Sequence, residues 1–132
     1  KEEHFPEVEK QKQILKDSLS SLDPIEDFHI IAVKPSPLQV FNLFDPACYL
    51  AVAISNPFEM SHLALTHNYG GLLGHYVLCD DAILAKHHAV KQKVGTGYCR
   101  TANCLKREVQ RDVDWIMTNH PWILLNFIES FD

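Results

Sequence analysis

The chain has 132 residues, a length that fits one domain and buries roughly two thirds of the unfolded surface, so a core can form without disulfides or metals. Hydrophobic residues make up 46% and charged residues 22%, which excludes disorder along the whole chain. Twelve basic against 17 acidic residues leave a net charge of −5, and no Lys/Arg run forms a stripe, so nucleic acid is a poor default partner.

The polar opening Lys1-Glu2-Glu3 is unlike a signal peptide, and the missing initiator Met suggests a processed or trimmed chain. The four cysteines, Cys48, Cys79, Cys99 and Cys104, are expected as free thiols in a reducing compartment. No apolar run reaches the roughly 20 residues of a spanning helix.

The first five residues are expected to be loose. Residues 6–22 read as an amphipathic helix, with Val8, Leu15, Leu19 and Leu22 near helical spacing and Asp23-Pro24 as its stop. Phe28 to Val33 reads as a β-branched strand ended by Pro35 and Pro37, and Leu38 to Phe44 as a second. Cys48 to Ile54 is a buried strand, Ser61 to Thr66 a short one. His75 to Cys79 and Ala82 to His87 read as a hairpin around Asp80-Asp81. Gly95-Thr96-Gly97 is expected as a loop. Leu105, Val109, Val113 and Ile116 mark one face of a helix, and Trp122 to Phe131 forms another. With no repeat or linker, residues 1–132 are expected to form a single α+β domain with helices on an antiparallel sheet.

Asn103 is a good N-cap residue, which would place Cys104 at a helix start where the dipole favours a thiolate and backbone N–H groups can hold an oxyanion. His75 and His87 lie at the same end of the expected hairpin. Cys79, His87, His88, Cys99 and Cys104 supply enough ligands for a structural zinc, although no Cys-x2-Cys knuckle is present. Cys99 can also be read as a resolving thiol for Cys104.

Gly74-His75-Tyr76-Val77-Leu78, a second histidine twelve residues after the first, and Asn103-Cys104 together resemble the motifs of the H-box/NC proteins. These are lecithin retinol acyltransferase relatives, related to the NlpC/P60 group, and include some picornavirus 2A proteins. The resemblance implies a permuted papain-like fold with Cys104 as nucleophile, His75 as general base and His87 as the orienting third member, and no cofactor. Only sixteen residues separate His87 from Cys104, and Leu-Lys-Arg-Glu follows the cysteine, which favours the compact viral branch over cellular acyltransferases. That branch implies a non-structural protein acting in viral genome replication. Its expected setting is the host cytoplasm, at or near replication membranes, with host or viral replication proteins as partners and peripheral lipid contact. The enzymatic alternative is acyl transfer or phospholipid acyl hydrolysis through a Cys104 thioester.

Overall fold

The computed structural model describes residues 6–40 and 42–129. In chain order these form α1 (Val8–Ser18), β1 (Ile30–Ala32), α2 (Pro35–Val40), a 3-10 turn (Pro46–Cys48), β2 (Tyr49–Ala53), α3 (Pro57–Thr66), β3 (Gly71–His75), α4 (Asp81–Ala89), β4 (Lys93–Gly97), α5 (Ala102–Gln110), β5 (Trp115–Met117) and α6 (Pro121–Glu129). The expected loose opening residues 1–5 lie outside the described range.

The five strands form one sheet in the order β1-β2-β3-β4-β5, and every neighbouring pair is parallel. This overturns the expected antiparallel, papain-like α+β arrangement: the fold is α/β, with a helix between each pair of neighbouring strands. Parallel neighbours require a crossover, and the sequence carries one between each pair. Tyr-Leu-Ala-Val-Ala of β2 and Gly-Leu-Leu-Gly of β3 are continuous apolar runs rather than alternating ones, as befits strands covered on both faces.

The hairpin over residues 75–87 is also corrected. The segment after His75 is a turn, and the Asp80 carboxylate accepts the Ile83 N–H at 2.9 Å, capping α4. Ala82, Leu84 and Ala85 are strong helix formers, and the cap decides the ambiguity of a short apolar run in favour of helix. Pro57 in the first turn likewise starts α3 where a strand over Ser61 to Thr66 was expected. Leu38 to Phe44 falls partly in α2. Gly95, Thr96 and Gly97 belong to β4 and are buried, not a loop.

Strand alternation divides the sheet's side chains. Tyr49, Ala51, Ala53, Leu72 and Val94 face the helices and join Leu38, Met60, Leu63, Ala64, Ile83 and Leu84 in the core. The other face, carrying Leu50, Leu73, Gly95 and Trp115, is concave. Flat, β1 and β5 would stand about 19 Å apart, four strand spacings. Yet the rings of His29, which leads into β1, and Trp115, which opens β5, meet edge to face with centroids 5.4 Å apart. The sheet must curl for this, and glycines on the concave face permit it: a Cβ at Gly95 would lie 2.4 Å from Leu73 Cδ2. Among the described residues, no helix is long and apolar enough to cross a membrane.

Candidate ligand-binding cleft

A cleft of about 190 Å³ opens at the carboxyl ends of β3 and β4, lined by His75, Tyr76, Tyr98, Arg100, Thr101 and Cys104. The parallel pairing places His75, the last residue of β3, opposite Gly97, the last of β4. Loop residues then converge over them. Open α/β sheets and barrels place ligands at this end of their strands. A larger hollow of about 310 Å³ lies at the opposite end, between the helix ends and strand starts around Leu65, Gly70, Val90 and Gln92. It has Lys91 as its only charged lining residue.

His75 sits between two tyrosines. Its ring stacks on Tyr76 at 4.5 Å and on Tyr98 at 5.1 Å, with interplanar angles of 30° and 15°. Tyr98 has φ of +67°, left-handed backbone that a residue with a Cβ adopts at a cost of about 1 kcal/mol or more. The Arg107 guanidinium covers Tyr76 at 5.0 Å. The Val77 N–H donates to His75 Nδ1 at 3.1 Å. With Nδ1 engaged as an acceptor, the neutral ring carries its proton on Nε2 and offers it as a donor.

Of the three residues expected at a catalytic site, the structure brings together His75 and Cys104, which line the same cleft. No hydrogen bond joins them among the described residues. His87 is elsewhere: fully buried on α4, with Nδ1 2.7 Å from Gln92 Oε1 and Nε2 2.9 Å from Ser61 Oγ. Gln92 Nε2 donates to the Ala64 carbonyl, which leaves its Oε1 to accept from His87 Nδ1–H. Nε2 then accepts the Ser61 hydroxyl. Burial, the dominant influence, holds the His87 pKa below the usual imidazole value. In this position His87 ties α4 to α3 and cannot orient His75.

Asn103 is not the cap of α5. Thr101 is, its hydroxyl accepting the Cys104 N–H at 3.2 Å. Cys104 therefore sits in the first turn with its own amide already used. Burial and a thiol–thiol hydrogen bond with Cys104 push the Cys99 pKa up to about 12, so Cys99 stays protonated. Burial likewise raises Cys79 to about 11, far from a metal-ready thiolate. Among the described residues, no group of three or more His, Cys, Asp or Glu side chains is placed to hold a metal ion.

One residue that holds the cleft in shape had no signal in the sequence. Glu108, on α5, is fully buried, and Arg111 meets both of its carboxylate oxygens at 3.0 Å. Arg111 also donates to the Cys79 carbonyl at 2.6 Å, fastening α5 to the segment that follows His75. Glu108 looked like part of a solvated helix face, since only the tertiary contacts bury it. Arg100 was likewise unmarked, because it has neither motif nor spacing to single it out.

No protein-family model matches the chain, and no curated protein matches its sequence. Among solved structures, the fold is similar to a crystal structure from Agrobacterium tumefaciens str. C58 assigned as a glycerophosphoryl diester phosphodiesterase. The TM-score is 0.74 over 98% of this chain, at 13% sequence identity. The likeness is one of fold. This chain spans about half the length of that structure, covering 54% of it. The similar architecture, a TIM-barrel-like α/β fold, agrees with the parallel sheet and its curvature.

Proposed function

We propose that this chain binds a small phosphate ester at the carboxyl ends of β3 and β4, with His75 and Arg100 meeting its anionic oxygens and the Thr101 hydroxyl beside them. The observation that carries this reading is the Val77 N–H on His75 Nδ1, which makes the imidazole a hydrogen-bond donor in a cleft that also holds a guanidinium. Guanidinium and imidazole donors suit a phosphate, and charge-assisted bonds of this kind are stronger than neutral ones. The resemblance in fold to a protein assigned to phosphodiester chemistry supports the choice of ligand class. Calorimetric titration with a glycerophosphoryl diester and with inorganic phosphate tests it. Saturable binding that weakens about tenfold in Arg100→Ala and in His75→Ala is expected, as for the loss of one charge-assisted bond. Absence of saturation with either anion, or native affinity retained in both variants, overturns it. Release of the alcohol during titration would extend the reading from binding to hydrolysis.

A second reading has one observation in its favour, the presence of His75 and Cys104 in the same cleft. In that reading His75 takes the Cys104 thiol proton, the sulfur attacks the ester carbonyl, the ester C–O bond breaks, and the proton returns to the departing alcohol as the acyl group stays on Cys104 as a thioester. His75 would have to free Nε2 of its proton, moving it to Nδ1 at the expense of the Val77 bond. Rapid alkylation of Cys104 by iodoacetamide at neutral pH, slowed in His75→Ala, would favour this chemistry; slow alkylation unaffected by the substitution would count against it. The role in viral genome replication rests on the H-box/NC motifs alone. Its test is replication of a virus carrying this chain with His75→Ala and Cys104→Ala, scored beside the thermal stability of each variant. Normal replication in both would remove it.

A further inference from the structure

The concave face of the sheet is only partly covered. Ile31 on β1 is 58% exposed and Met117 on β5 is 38% exposed, one at each edge of the sheet. Among the described residues, β1 pairs only with β2 and β5 only with β4, so each presents an unpaired row of backbone groups. Neither α1 nor α6 buries a residue, and Trp122, Ile123 and Leu125 of α6 are each more than half exposed. Open parallel edges are templates for further strands.

The curvature sets how many strands fit. Strands one and five of an eight-strand barrel stand opposite each other, and their inward side chains meet across its filled interior. His29 and Trp115 meet in this way, and Lys93 joins them with its ammonium 5.1 Å from the Trp115 ring. Three strand positions therefore remain between β5 and β1. The Agrobacterium structure, whose fold this chain matches over 54% of its length, has further chain beyond the matched part.

The geometry points to the concave face and its two edges as the docking surface for a polypeptide of three parallel strands with their helices, closing the sheet into a barrel around the cleft. A second copy of this chain fits less well, because five strands do not enter a three-strand gap without separating His29 from Trp115.

The test compares the 132-residue chain alone with a single-chain chimera that joins to it the residues of the Agrobacterium structure it leaves unmatched. Hydrogen exchange, light scattering and emission of the dye 8-anilinonaphthalene-1-sulfonate are measured on both. In the chain alone, dye binding and rapid exchange of peptides covering 30–32 and 115–117 are expected. In the chimera, a monomer, about tenfold slower exchange in those peptides and loss of dye emission are expected. Ile31→Glu and Met117→Glu should leave the melting temperature of the chain alone unchanged and abolish the protection gained in the chimera. Protected edges in a monomer of the chain alone overturn the proposal. Protected edges in a dimer assign the surface to a second copy and overturn it equally. So does a chimera, folded or not, whose edge peptides exchange as fast as before.

Discussion

His87 is a polar side chain whose three-residue network decides its role. Both ring nitrogens are used, by Ser61 and Gln92, with no route to solvent. His87→Ala leaves two buried groups unpaired and a void, and should cost about 3 kcal/mol in a denaturant melt. The pH dependence follows from the lowered pKa. Because the folded pKa lies below the unfolded value of about 6.5, the unfolded chain takes up the proton first as pH falls. The stability contributed by the neutral ring is therefore complete above about pH 6.5 and is lost as pH drops through the window beneath it. Melting temperatures measured across that window should fall in the native chain, and fall less steeply in His87→Ala.

At the scale of the element, α5 is held by its cap and by one buried carboxylate. Thr101→Ala should cost about 1 kcal/mol, whereas Asn103→Ala, at an exposed position inside the first turn, should change stability little. Equal losses in the two would return the capping role to Asn103. Glu108→Gln should cost about 2 kcal/mol, since it leaves Arg111 with only the exposed Asp81 carboxylate, 2.6 Å away, as counter-charge. Thermal melts check the loss. Loss of stability together with faster exchange in residues 76–80 would show that the Arg111 bridge to Cys79 goes with it. The helix itself was legible as a helix from its apolar spacing. Its length was not: Val113 packs on the core beyond the helix end and Ile116 lies in β5, since a strand residue can fall on a helical period by chance. The apolar run Tyr49 to Ala53 was legible as a strand for a sound reason, continuous burial.

For the whole molecule, the contact of His29 with Trp115 reports the curl of the sheet, because it joins elements at opposite edges. Burial, and then the nearby Lys93 ammonium, hold the His29 pKa below the usual imidazole value. In a Trp122→Phe background, Trp115 emission should fall as His29 becomes protonated, with a midpoint below about pH 6.5. Lys93→Gln should move that midpoint upward. Emission that is independent of pH would mean the rings do not meet in solution, and a midpoint unmoved by Lys93→Gln would mean that Lys93 does not act on His29.

The sequence by itself determined the buried strand at β2 and the helices near each end, because local periodicity acts over a few residues. It also marked His75 and Cys104, which do share a cleft. Strand direction, the burial of His87 and Glu108, and the stacking of Tyr98 on His75 were decided by tertiary structure. Each depends on partners twenty or more residues away or on which crossover the chain takes. A parallel and an antiparallel pairing of the same short apolar strands differ little locally, so the choice between them falls to the packing of the helices that connect them.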